Sequence, residues 1–257
     1  MKTLSLYIDN GSWLTRLHPF SKLWYLTAAI LVPPAAGILN LYFLTILCSL
    51  LLLCSGQILR KTVPLIAFSF SLILTVFLIH GILNQENRTL LFSIGFLRFY
   101  REGLFYALRI GLNILNMLLA FSILVLSTRP SELVEELEQK GFSPRFGYII
   151  TSVFQILPQM ISSVHTILDA QKSRGMETEG SLRIRARAFL PLISPVVMSA
   201  LTSARERAVA LEIRGFGSSC KKTALNIHKK SGIDRLIAAA SLLCMAAAAG
   251  WRILKWL

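Results

Sequence analysis

From Val63 to Leu83 the chain runs without a single Asp, Glu, Lys or Arg. An α-helix rises about 1.5 Å per residue, so twenty-odd apolar residues match the ~30 Å hydrocarbon core of a bilayer. Gly103 to Ser127 is a second such run, broken by one charge, Arg109. Leu23 to Ser55 is longer and carries no charge, too long for one crossing. Pro33, Pro34, Gly37 and Asn40 interrupt it, which predicts a helical hairpin with its turn near Asn40. Ile233 to Leu257, apolar apart from Asp234, Arg235, Arg252 and Lys255, makes a fifth span.

Charge is segregated between these runs. Hydrophobic residues make up 54% of the 257, and Lys and Arg outnumber Asp and Glu 27 to 13. The segment Arg129 to Arg235 holds 16 of those 27 basic residues and 10 of the 13 acidic ones. Apolar residues recur there at helical spacing, the pattern of amphipathic helices on or below a membrane. The expectation is an all-α membrane protein with about five transmembrane helices. Residues 1–128 form four spans, 129–232 a cytoplasmic helical region and 233–257 the last span.

Lys and Arg are denser on the side holding Lys2, Arg16, Lys22, Arg60, Lys61 and the 129–235 segment than on the side holding Arg88, Arg98, Arg101, Arg252 and Lys255. The positive-inside bias therefore places the N-terminus and the basic region in the cytoplasm, in a multi-pass protein of the cytoplasmic membrane. The same bias and anionic headgroups account for the net charge of +14 without nucleic acid as a partner. Met1 to Lys22 lacks the short apolar core of a secretory signal, so the first run is expected to be a retained span. The small-residue runs Ala238–Ser241 and Ala246–Gly250 predict close helix contacts in the last span. Arg109 has either to pair within the bundle or to snorkel outward, and its place near the outer end favours the latter.

Enzymatic chemistry finds little support. There is no Gly-x-x-x-x-Gly-Lys-Ser/Thr loop to cradle nucleotide phosphates, so any ATP is hydrolysed by another chain. His18, His80, His165 and His228 fall in separate segments, and no His-Glu-x-x-His or Gly-x-Ser-x-Gly occurs. Cys48, Cys54, Cys220 and Cys244 show no paired spacing, so no metal site is expected. A membrane enzyme acting on lipids would need paired carboxylates, clustered histidines or a nucleophile motif in a span, and none is present.

One internal repeat stands out. Ala170-x-x-x-Arg174-Gly175 recurs forty positions later as Ala210-x-x-x-Arg214-Gly215, each copy following an apolar stretch of helical period. Arg in a last helical turn with Gly at the left-handed stop is by itself an ordinary terminus. Two matched copies could instead enter two matched grooves of a dimeric partner, each Arg hydrogen-bonding an acidic or carbonyl-rich pocket.

These paired motifs resemble the two Ala-Arg-Gly signatures of the transmembrane coupling subunit of energy-coupling factor (ECF) transporters, the group that includes the cobalt-uptake permease subunit. Three further stretches are similar to that family: Arg16-Leu17-His18-Pro19-x-x-Lys22 before the first span, Thr128-Arg129-Pro130-Ser131-Glu132-Leu133 after the fourth, and Gln155-Ile156-Leu157-Pro158 in the basic region. Phe216 supplies the aromatic residue usual after the second signature. Lys172 and Ser173 stand where small residues are common, and Ile213 also departs from the pattern.

The resemblance implies a non-catalytic coupling subunit. Its partners would be two ATP-binding-cassette ATPases, which carry the ATP and Mg, and a small membrane subunit that captures a vitamin or a transition-metal ion such as cobalt or nickel. This chain itself would need no cofactor. ATPase coupling would fall to Ala170, Arg174, Gly175, Ala210, Arg214 and Gly215. Docking of the substrate-capturing subunit would fall to Ile156, Leu157, Pro158, Ile161, Leu190, Ile193 and Val197, although packing against the chain's own spans would use the same apolar face. Pro158, Pro191 and Pro195 are expected to kink, break or start helices. The alternative is a membrane-anchored scaffold whose basic helices lie on anionic lipid.

Overall fold

The structure, a computed structural model, describes Tyr7 and residues 10–83, 89–94, 97–176, 182–218 and 231–255; for residues 82–83, 90–94, 97–99 and 182–191 it describes the backbone. The chain forms two compact units, one of Leu6–Arg129 with Ile227–Leu257, the other built on Pro130–Asn226.

The first unit holds the apolar helices. After a single turn, α1 (Trp13–Arg16), come α2 (Pro19–Ala36), α3 (Leu39–Ser55), α4 (Leu59–Leu83), the strands β1 (Leu90–Ile94) and β2 (Leu97–Tyr100), and α5 (Arg101–Ser127). Leu59–Gly81, Arg101–Ser127 and Gly232–Leu254, the last in the final helix of the chain, are long and apolar enough to cross a membrane, and Leu39–Ser55 is a shorter apolar helix.

One sequence expectation needs correction here. The first turn lies at Gly37–Ile38 rather than near Asn40, which sits inside α3. Gly37 adopts φ 68°, a left-handed stop open to glycine, and its N–H reaches the Pro33 carbonyl at 3.1 Å, so the helix runs through both prolines before closing. The segment between α4 and α5 contains the antiparallel β1–β2 hairpin. Leu-Leu-Phe-Ser-Ile and Leu-Arg-Phe-Tyr are rich in strand-forming residues. Thr89 ties this hairpin to α5: its N–H lies 3.2 Å from Glu102 Oε2 and its hydroxyl bonds the other carboxylate oxygen.

Helix α5 is the hub, packing on α2, α3 and α4, and α2 also packs on the last helix. The main core joins Leu14, Leu17, Ile46, Leu53, Ile58, Leu119, Ile123 and Leu126. Small residues bring backbones together in two further clusters: Ala29 with Ala120, and Ala28 and Val32 with Ala248, the second using one of the alanine runs of the last span. A Cβ on Gly111 of α5 would lie 3.0 Å from Ile73 of α4. Polar cross-links stay internal: buried Asn116 donates to the Ala29 carbonyl, and the Tyr25 and Ser49 hydroxyls share a 2.7 Å bond. Arg109 is exposed and reaches the Gly37 carbonyl at 3.5 Å, placing a cation at the carboxyl end of α2.

The second unit contains α6 (Pro130–Gln139), α7 (Pro144–Ser173) and α8 (Leu182–Ile213); the last helix, α9 (Gly232–Leu254), returns to the first unit. Proline breaks neither long helix. Pro158 lies inside α7, and α8 runs through positions 191 and 195. One proline removes one N–H and one ladder bond, and the flanking turns of helices 30 and 32 residues long carry the backbone past it.

Candidate functional site

The two Arg-Gly repeats end α7 and α8 in the same backbone figure. At α7, Gly175 N–H bonds the Lys172 carbonyl at 2.9 Å and Met176 N–H bonds the Gln171 carbonyl at 3.1 Å; Gly175 has φ 85°. At α8, Gly215 N–H bonds the Glu212 carbonyl at 2.9 Å and Phe216 N–H bonds the Leu211 carbonyl at 2.9 Å; Gly215 has φ 72°. Both are Schellman closures with glycine at the left-handed position. A Cβ on Gly175 would meet nothing within 4 Å, so backbone conformation rather than space demands the glycine there. The same closure ends α6 at Gly141, φ 100°, so the figure is a way of stopping a helix and not in itself a binding signature.

The residue before the glycine separates the three ends, Lys140 at α6 but Arg174 and Arg214 at α7 and α8. At α6 the closing Phe142 meets Phe146 edge to face at 5.6 Å, and a Cβ on nearby Gly147 would run into the Glu138 carboxylate. Ala170, Arg174, Gly175, Ala210, Arg214 and Gly215 are all exposed, as are Gly141 and Phe142 at the end of α6.

Helices α7 and α8 are antiparallel where they cross. The Phe216 ring sits 5.1 Å from Tyr148 near the start of α7, and Arg207 donates to the Gln159 side-chain carbonyl halfway along it. The crossing encloses a small cavity of about 50 Å³ lined by Ser163, Ser199, Ala200, Ser203 and Ala204 among others, side chains short enough to let the two helices approach. The Arg214 end therefore lies beside the start of α7, and Arg174 is 26 residues further along, about 39 Å at ~1.5 Å per residue. The two arginines stand at opposite ends of one helix pair.

Among the sequence-predicted docking residues, Leu157, Pro158, Ile161, Ile193 and Val197 are exposed, whereas Ile156 turns toward α8 and lines the small cavity. Leu190 lies outside the described side chains. The exposed apolar surface is wider than sequence reading proposed: Phe146, Ile149, Val153 and Phe154 on α7 and Met198 and Leu201 on α8 belong to it. Phe146, Ile149, Val153 and Leu157 recur at the three-to-four spacing of one helix face, the signal that would have found them.

A buried polar knot that the sequence reading did not assemble lies in the first unit. Lys22 donates from Nζ to the Ser127 carbonyl at 2.8 Å, placing its charge on the carboxyl end of α5. Asp234 accepts from the His18 backbone N–H at 2.9 Å and from the Ser231 N–H at 2.8 Å. His18 in turn caps α2, its Nδ1 accepting from Phe20 N–H at 3.2 Å. The Arg16-to-Lys22 motif thus joins the start of α2 to the end of α5 and the start of α9. Ser231-x-x-Asp234 is a capping box, and that spacing was readable in advance. Beside the knot, Arg129 stacks over the Tyr7 ring at 4.8 Å. Among the described residues no three His, Cys, Asp or Glu side chains are grouped to hold a metal ion.

Residues 10–224 match the CbiQ family, described as a cobalt transport protein. Three curated relatives are named energy-coupling factor transporter transmembrane protein EcfT. That of Bacillus subtilis is 28% identical over 228 residues, covering 82% of this chain and 83% of the relative. That of Brevibacillus brevis is 28% identical over 261 residues, 96% of each, and that of Lactococcus lactis is 26% identical over 249 residues, 90% of each.

Proposed function

The chain belongs to the CbiQ cobalt-transport protein family, and from that membership we propose that it is the transmembrane, non-catalytic component of an energy-coupling factor transporter. In this reading it couples two ATP-binding-cassette ATPases to a small membrane subunit that captures a vitamin or a transition-metal ion. ATP and Mg belong to the ATPases.

The observation that supports coupling most is the pair of exposed Arg-Gly ends on one antiparallel helix pair, about 39 Å apart along α7. Two equivalent ends separated by that much suit two equivalent receptors better than one. A closing ATPase dimer changes the separation of its two halves, and a rigid pair gripped at both ends converts that change into motion of the exposed apolar face. The grip has to differ in free energy between open and closed ATPase states, or no work is transmitted. Arg suits the grip because its fork of five donors stays charged and can bond a carboxylate or two carbonyls at once. By the positive-inside bias the N-terminus and the α6–α8 region face the cytoplasm, where ATP is.

The test is uptake by the assembled transporter. Arg174→Ala with Arg214→Ala should abolish ATP-driven uptake while the chain still inserts and accumulates in the membrane. Undiminished uptake by the double variant would refute coupling through these ends.

A further inference from the structure

A groove of about 360 Å³ runs along α2 between α3 and α9, with α5 closing its floor. Tyr25 and Val32 line it from α2, Leu44 and Cys48 from α3, and Ala240 and Cys244 from α9. Its surface is almost wholly apolar. Lys22 contributes its alkyl stem, since its Nζ is committed to the Ser127 carbonyl.

The dimensions select an occupant. Lining residues on α2 run from Ser21 to Val32, about 16 Å at ~1.5 Å per residue and roughly half of a ~30 Å hydrocarbon core. A single hydrocarbon chain reaching through one leaflet matches that length and the almost wholly apolar lining. Charge points the same way. At the Ser21 end the exposed Arg16 and Arg235 are the chain neighbours of the lining residues Leu17 and Leu236, and exposed Arg60 and Lys61 follow the carboxyl end of α3. Basic residues where a span group meets the interface attract anionic headgroups.

We propose that this groove holds an acyl chain of an anionic glycerophospholipid, its phosphate held by Arg16 and Arg235. Bound there, the lipid fills the space between α3 and α9 and fixes their separation on α2. The inference rests on these helices lying in a bilayer and is independent of any ATPase partner.

The test uses the full-length chain, delipidated in detergent and offered equal amounts of dioleoyl phosphatidylglycerol and dioleoyl phosphatidylcholine, with retained lipid counted by native mass spectrometry. The expected result is one retained lipid with about tenfold preference for phosphatidylglycerol, and near parity after Arg16→Gln with Arg235→Gln. Ala240→Trp, which plugs the groove from an exposed position, should empty it, whereas Ala239→Trp, exposed but outside the lining, should not. Equal retention of the two lipids by the unmodified chain, full retention by Ala240→Trp, or equal loss from both tryptophan variants would overturn the proposal. So would cross-linking of Cys48 or Cys244 to another polypeptide in native membranes, which would give the groove to a partner's segment. Loss of ATPase coupling would leave all these readouts in place.

Discussion

Arg174 and Arg214 occupy the same position in the same helix stop, one residue before a glycine at positive φ. The glycines are explained by backbone geometry alone, but nothing in a Schellman closure requires arginine before them. That leaves the arginines free for a partner and makes the choice between Arg and Lys diagnostic. A lipid-surface scaffold uses charge, which Lys preserves; a forked contact with carboxylates or carbonyls uses geometry, which Lys lacks. Arg174→Lys and Arg214→Lys should each lower uptake by about tenfold or more, the loss of one charge-assisted bond of ~1.5–3 kcal/mol, while normal uptake in both would support the scaffold. A second residue-scale prediction concerns stability. Asp234 is buried and accepts two backbone N–H groups, so Asp234→Ala strands both donors and should cost about 1–3 kcal/mol, read as a lower unfolding midpoint of the purified chain. An unchanged midpoint would mean that the knot does not hold α2 to α9.

Between α7 and α8 the elements divide their faces. Short side chains meet at the crossing, while Leu157, Ile161, Ile193 and Val197 stay exposed. Because these four make no demand on the fold, Leu157→Asp and Val197→Asp should leave the helical content intact. They should weaken association with the substrate-capturing subunit by about tenfold each, the equivalent of losing one buried aliphatic side chain at ~1.5–3 kcal/mol. Co-purification of that subunit at wild-type yield would move its docking elsewhere. Helices were the most legible level of the sequence because uncharged runs and helical spacing report burial directly. Three features were not legible, for identifiable reasons. The β1–β2 hairpin sits in a loop whose arginines masked its strand-forming residues. Pro33, Pro34 and Pro158 predict breaks, yet a long apolar helix absorbs the loss of single ladder bonds. The contact of Lys22 with the end of α5 joins residues 105 positions apart, a separation that no local pattern encodes.

At the scale of the whole molecule, one unit supplies apolar helices hung on α5 and the other supplies a helix pair with two exposed basic ends. The paired Arg-Gly motifs were readable from the sequence, and family membership follows from the match over residues 10–224. Their placement at opposite ends of an antiparallel pair came only from the fold, because it depends on Phe216 meeting Tyr148. The central claim is that these ends touch two ATPase subunits. It is tested most directly by placing a photo-cross-linking residue at Ala170 and, separately, at Ala210, both exposed and four residues before each arginine, and irradiating native membranes. The account predicts that each position captures an ATP-binding-cassette ATPase, and that Arg174→Ala and Arg214→Ala reduce capture at their own end. Adducts to lipid alone at both positions, with no ATPase captured at either, would contradict it.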